Sequence, residues 1–338
     1  MLSNKKTQPV ANINPDIVVQ SCQFETSDGE LCGNEVEEGR YCKWHDNEQA
    51  LIDPALKLNL QAHAIKSPVM RNYQLANADL REIDLTRHGE RNGYRLLNAD
   101  LYRVNLSYAH LFKLDLSGSS LMKANLKGAN LNHAILKNTN LLGARFDNTS
   151  LDGVIWGDKV LQEMAAEITS SPAERQQLYH EAEDVYRNLR IVHDRQGHSH
   201  TAGIFFRREM IMRRYQTPLL SFKRLGFKLI DLFTGYGEQP GKIVTFSVST
   251  ILLFAMMYAF SGVSSGEEII RFNFQADIIT NARSFIDCLY FSVVTFTTLG
   301  YGDIVPLGLT RLFAASEAFI GGFAMALFVV IVAKKTSR

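Results

Sequence analysis

The chain has 338 residues, 46% of them hydrophobic, with 36 Lys and Arg against 35 Asp and Glu. A net charge of +1 with this much apolar content fits a multi-domain protein with a membrane part and a soluble part, and a nucleic-acid partner is not expected. No apolar segment carries Arg at every third position, which excludes a voltage sensor.

The first forty residues hold no apolar core, so no signal peptide is expected. Within them begins a cluster, Cys22, Cys32, Cys42 and His45, spaced C-x9-C-x9-C-x2-H, and one further cysteine, Cys288, occurs far downstream. Three thiols and an imidazole this close read as a tetrahedral Zn2+ site rather than as disulfides. With four ligands the zinc would be structural, holding a minimal core around Phe24, Gly29, Gly33, Gly39 and Tyr41 that does not fold unaided. Redox-sensitive or merely exposed thiols are the alternative. Residues 41–45 resemble the end of compact Cys3His modules. This zinc-binding module is assigned residues 1–50, with a linker over 51–70.

From Leu80 a different period takes over. Leu85, Leu96, Leu101, Leu106, Leu111, Leu116, Leu121, Leu126, Leu131, Leu136, Leu141, Phe146 and Leu151 recur every five residues, with one step of eleven across residues 87–94. A small or apolar residue stands two positions before each, as at Ala99, Ala124 and Ala134. Neither helix nor ordinary strand has this period, so a solenoid is expected over residues 71–157. The pattern resembles the pentapeptide-repeat family, A-(D/N)-L-x-x. The resemblance implies a right-handed quadrilateral β-helix of about four coils. Some members of that family are acidic DNA mimics. Residues 71–156 carry eleven Arg and Lys against eight Asp and Glu, which does not suit that role. A rigid spacer or assembly scaffold, or a face sensing a cytoplasmic protein or small-molecule regulator, remain. His88, His110 and His133 are expected on the solvated surface.

A helical connector is expected over residues 158–216. Ser171, Pro172 and Glu174 make a capping box with Pro at the first helical position. Leu178, Ala182, Val185, Leu189 and Val192 then form a seam for a second helix or for a neighbouring copy. A break at residues 196–200, carrying His198 and His200 in a solvated turn, suggests a hairpin whose second helix covers 201–215. Residues 218–233 mix apolar side chains with Lys223, Arg224 and Lys228, as an interfacial helix drawn to anionic lipid does. This slide helix and turn occupy residues 217–241.

The remaining residues, 242–338, read as a pore. Apolar spans over 242–262 and 309–334 can each cross the roughly 30 Å hydrocarbon core. Between them, residues 283–297 are too short to span and suit a re-entrant pore helix. It leads into Thr298, Leu299, Gly300, Tyr301, Gly302 and Asp303. Potassium filters read T-V-G-Y-G, so only Leu299 differs. Carbonyls that all face one axis require a backbone alternating with the left-handed region, which Gly enters freely.

The arrangement resembles the two-transmembrane pore family of potassium channels, over roughly residues 240–335. The resemblance implies a homotetramer in the lipid membrane, with K+ as the transported ion and the filter residues shaping its sites. It also implies a gating hinge at Gly322 in the mid-helix pair Gly321-Gly322, close helix packing through these small residues being the alternative, with Phe323, Ala326, Val330 and Ile331 as candidates for the face lining the cavity. Some members pair the filter Asp with a pore-helix carboxylate; here that position is Val294. Glu317, the ionisable residue deep in the last span, is expected behind the filter, bonded to a pore helix. Basic residues crowd before the first span and follow the second at Lys334, Lys335 and Arg338, which places both termini in the cytoplasm of a plasma (inner) membrane protein. No enzyme activity is expected. A non-selective cation channel, or a membrane-tethered scaffold with a silent pore, are the alternatives.

Overall fold

The computed structural model describes residues 20–336, apart from 26–28, 30, 33, 37–38, 47 and 49–52. Gly33, Arg338 and the first nineteen residues therefore lie outside the described residues. The chain forms two compact units, residues 1–170 and 171–338.

In the first unit, short antiparallel strands β1 (Gln20–Ser21) and β2 (Glu35–Val36) frame the cysteine cluster. The expected linker instead contains a helix, α1 (Leu56–Lys66), because Leu56, Leu60 and Ala64 share one face and are buried. The solenoid follows, opened by parallel strands β3 (Val69–Arg71) and β4 (Arg95–Leu97). Arg95 then bridges to Asp115, Asp115 to Ile135 and Ile135 to Ile155, a rise of twenty residues per coil. Earlier, Gln74 bridges to Asp100 and Asp79 to Asn105, twenty-six apart. The six additional residues are those of the long step across 87–94, extruded while the register resumes on the same side.

The repeat chemistry explains the coil. Every repeat centre from Leu96 to Leu151 is buried, at no more than 4% exposure. The Asp or Asn before several centres accepts the backbone N–H two residues on, as Asp100 does from Tyr102 at 3.0 Å and Asn130 from Asn132 at 3.1 Å. This Asx-type turn bends the corners where it occurs. Where the small position is Ser or Thr, its buried hydroxyl donates to a carbonyl of the previous coil: Ser119 to Leu96 at 2.9 Å, Thr149 to Leu126 at 2.8 Å. The coil ends on α2 (Leu161–Ile168), whose Gln162 amide donates to Asn140 Oδ1 at 2.8 Å.

In the second unit, α3 (Pro172–Arg195) starts on Ser171, whose Oγ accepts the Glu174 N–H at 3.4 Å. Its seam packs on α4 (Ser199–Tyr215) of the same chain, around Ala182, Val185, Leu189, Ala202, Phe205 and Met212. The charged face of the hairpin is closed by Glu183 and Glu209, both buried, with Arg187, Arg190 and Arg213 around them. Next come α5 (Phe222–Thr234), the outer helix α6 (Pro240–Ser261), the pore helix α7 (Ile278–Phe296) and the inner helix α8 (Thr310–Thr336). The pore helix starts five residues before the expected 283, because residues 278–282 extend it from the Asp277 corner, where Thr280 Oγ1 donates to the Asp277 carboxylate. Strands β5 (Val263–Ser265), β6 (Glu268–Ile270) and β7 (Val305–Pro306) form a small sheet that joins the end of the outer helix to the chain just past the filter.

The coil's stability rests on its buried centres. Leu121→Ala should cost about 2–5 kcal/mol through transfer and cavity terms, while exposed Lys127→Ala should stay within about 0.5 kcal/mol. Denaturant unfolding followed by circular dichroism checks this; equal effects would contradict a continuous core.

Candidate functional site: the filter and a Cys3His cluster

The pore helix delivers the chain to the filter through its own last turn. Thr298 N–H donates to the Thr295 carbonyl and Leu299 N–H to the Val294 carbonyl, both at 3.0 Å. Beyond that point the backbone alternates. Thr298, Gly300 and Gly302 have φ of 57°, 61° and 79°. Every second residue is thus left-handed, the geometry by which successive carbonyls turn to one side. Gly300 and Gly302 adopt it without a Cβ penalty. Within one chain, Leu299 and Tyr301 are 59% and 68% exposed, so neither side chain is packed by its own protomer.

Asp303 closes the run. Its Oδ2 accepts a hydrogen bond from the Tyr290 hydroxyl at 2.8 Å. Tyr290 was not singled out from the sequence; it lies one helical turn before Val294, which is itself buried and apolar. The pore helix therefore holds the outer end of the filter with a neutral donor.

The inner helix meets the other two helices through one carboxylate. Glu317 is fully buried, with Oε2 accepting from Tyr258 of the outer helix at 2.6 Å and Oε1 accepting from Ser292 of the pore helix. Ser292 also lies 2.9 Å from the Ile251 carbonyl. Tyr258 and Ser292 were missed because each is one polar residue in an apolar run. Their significance depends on facing a carboxylate 25 to 59 residues away.

One turn on, Gly321 meets the last residue of the pore helix: a Cβ there would lie 2.0 Å from the Phe296 carbonyl oxygen. Gly322 has open space around it. Of the expected cavity face, Phe323 and Val330 are each 63% exposed, and Ala326 is exposed with them. Ile331 is not part of it. It is 5% exposed and packs with Ile243, Phe296 and Ala324, because one residue beyond Val330 turns about 100° around the helix.

In the first unit, Cys22, Cys32, Cys42 and His45 present ligand atoms that all lie within 4.8 Å of one another. Cys32 Sγ is 3.8 Å from Cys42 Sγ, and His45 Nδ1 is 3.4 Å from Cys42 Sγ and 3.6 Å from Cys22 Sγ. A tetrahedral zinc with the usual bond lengths has edges of about 3.8 Å between sulfurs and about 3.6 Å from sulfur to nitrogen. The donor set therefore fits the ion. The opposite ring nitrogen, Nε2, sits 2.9 Å from the Arg71 carbonyl in β3; donating there turns the Nδ1 lone pair toward the thiols. Phe24 stacks on the His45 ring at 4.0 Å. Burial and the neighbouring thiols push the Cys32 thiol up to about 12, so a cation is what would let these sulfurs ionise together.

His198 does not stand alone in the hairpin turn. Its Nδ1 lies 3.3 Å from Nδ1 of buried His193, and burial, with His198 beside it, lowers His193 to about 4.

Comparison with known proteins agrees with both halves. Residues 247–338 match the ion channel family, and residues 99–138 and 124–155 match the pentapeptide-repeat family. The chain is 44% identical over 68 residues to two pore potassium channel a of Oryza sativa subsp. japonica, covering 19% of this chain and 20% of that protein. It is 41% identical over 72 residues to two-pore potassium channel 4 of Arabidopsis thaliana, covering 20% and 25%. The chain thus spans a fifth to a quarter of the length of these relatives. Among solved structures, it is similar to HetL, a pentapeptide repeat protein of Nostoc sp. strain PCC 7120, at 33% identity, 28% and 38% coverage and TM-score 0.21. A second Nostoc PCC 7120 pentapeptide repeat protein, alr5209, matches at 27% identity, 32% and 77% coverage and TM-score 0.25. Residues 247–338 are thus similar to an ion channel domain and residues 99–155 to pentapeptide repeats, in a chain with two helices long and apolar enough to cross a membrane.

Gly321→Ala forces backbone against backbone at Phe296 and should destabilise the pore domain by about 1–3 kcal/mol. Gly322→Ala meets nothing and should leave the melting temperature unchanged or raised, since Ala is the better helix former. Thermal melting of the two purified variants separates them; equal melting would remove the distinction between the glycines.

Proposed function

We propose that the protein is a homotetrameric potassium-selective channel that conducts K+ passively. The observation that carries this is the left-handed alternation at Thr298, Gly300 and Gly302 directly after the pore helix. Four such segments around one axis would replace the hydration shell of K+ with carbonyl oxygens, with the Thr298 hydroxyl at the inner mouth. The exposure of Leu299, Tyr301 and Phe319 in a single chain supports assembly, since neighbouring copies would cover them. In this reading Gly322 is the hinge, and the exposed face of Phe323, Ala326 and Val330 narrows the cavity below it.

Two helices of membrane-spanning length, Pro240–Ser261 and Thr310–Thr336, support a pore that lies in a bilayer. The basic residues before the first and Lys334 and Lys335 after the second support cytoplasmic termini in a plasma (inner) membrane. On α5, Phe222, Leu225, Leu229 and Leu232 are exposed beside Lys223, Arg224 and Lys228, the composition of a slide helix lying on anionic lipid.

In the cytoplasm, the twenty-residue rise supports a right-handed quadrilateral β-helix. Cys22, Cys32, Cys42 and His45 would hold a structural Zn2+ against its first coil through His45 and Arg71, as a terminal cap of the stack. Regulation of the pore by this N-terminal assembly, through a protein or small-molecule partner, is part of the proposal.

Purified protein in liposomes under a potassium-to-sodium gradient should reverse near the potassium potential and lose that selectivity in Tyr301→Asp. Equal permeability in the parent would mean a non-selective cation channel, and absence of flux would favour the tethered scaffold. Metal analysis of the same protein should find about one zinc per chain, reduced in Cys42→Ser; stripping zinc with a chelator should lower the melting temperature of the N-terminal unit. Stoichiometry near zero after purification without chelator would remove the zinc assignment.

A further inference from the structure

We propose that Glu238 and Lys334 form a latch through which the connector helix α4 sets the position of the inner helix's end, and with it the open probability of the pore. The inference rests on the channel reading above. Lys334 is in the last turn of α8, and Glu238 is in the short turn between α5 and α6. Their charged groups meet at 2.7 Å across ninety-six residues of sequence. The Glu238 side chain is 16% exposed and that of Lys334 40%, so the pair is shielded on the carboxylate side.

Helix α4 touches both partners. A Cβ on Gly203 would lie 2.4 Å from Glu238 Oε2, so the carboxylate rests in a notch that α4 provides by lacking a side chain there. One turn along α4, the Phe206 ring has Lys334 Nζ at 5.5 Å from its centroid and the Arg190 guanidinium of α3 at 5.8 Å. The same ring therefore receives a cation from the connector hairpin and a cation from the inner helix. The contact is not part of a solid core. It borders a cavity of about 620 Å³ lined by Arg207, Arg208, Gly237 and Lys335 among others. The route runs directly from α4 to α8.

An ion pair at the end of a hinged helix shifts the equilibrium between its positions without entering the conduction path. Glu238→Gln and Lys334→Met should each move open probability by about threefold or more, in the same direction. The double variant Glu238→Lys/Lys334→Glu should recover most of that shift. Gly203→Ala should act in the same direction as the single charge variants, although Ala is the better helix former, because the new methyl group displaces the Glu238 carboxylate. Single-channel conductance and reversal potential should not change in any of them. Hydrogen–deuterium exchange over residues 328–336 of the full-length protein gives a readout independent of conduction. Exchange should quicken in the single variants and slow again in the double variant. Unchanged exchange and open probability, or single variants that the charge swap does not rescue, would overturn the latch. A protein that passes no ions sinks the channel reading instead, and the exchange pattern then decides the latch alone.

Discussion

A carboxylate buried in the middle of an apolar helix is the contact on which the pore domain depends. Glu317 is satisfied by two hydroxyls, one from the outer helix and one from the pore helix, so a single side chain joins all three helices. A buried polar network rigidifies its surroundings when every member is satisfied and is costly when one is missing. Here the network fixes the rotation of the pore helix about its axis. That rotation aims the last turn, from which the filter is hung by the Val294 and Thr295 carbonyls. Gly321, one turn below, lets the inner helix reach the Phe296 carbonyl, so the two contacts clamp the pore helix along its length.

The first unit is stabilised by different means. Its coil is a stack of equivalent layers in which each layer buries the next, and the ends of such a stack are its weak points. One end runs into α2, tied by Gln162 to Asn140. The other carries the Cys3His cluster, whose histidine reaches the Arg71 carbonyl in the first parallel strand, with Trp44 stacked on Tyr73 at 5.4 Å beside it. The cluster is therefore more than a neighbour in sequence: its geometry is continuous with the first coil.

Within the second unit, the connector hairpin is held by buried charges. Glu183 and Glu209 are buried among three arginines, an arrangement that adds little net stability but penalises any other register of the two helices. Asp231 is held in a similar way by Arg207, Arg214 and Lys242, which lowers its pKa against the opposing pull of burial and pins α5 to α4 and to the start of α6.

What could be read from sequence was what short stretches of chain encode by themselves. The five-residue period, the filter signature, the apolar spans and the capping box at Ser171 each depend on residues a few positions apart, and local sterics and hydrogen bonding act at that range. The insertion at residues 87–94 was visible as a broken period, and the coil absorbs it as such. Tertiary structure decided whatever depends on how elements rotate against each other. The helix within 56–66 stands on packing that its mixed composition does not announce. Ile331 turned out to face the outer helix, since a stretch apolar on all sides carries no mark of which side faces the cavity. The partners of Glu317 and Asp303, and the meeting of Glu238 with Lys334, join residues 13 to 96 positions apart. A hydrogen bond reaches only about 3 Å, so such pairs exist only once packing has brought the helices into place.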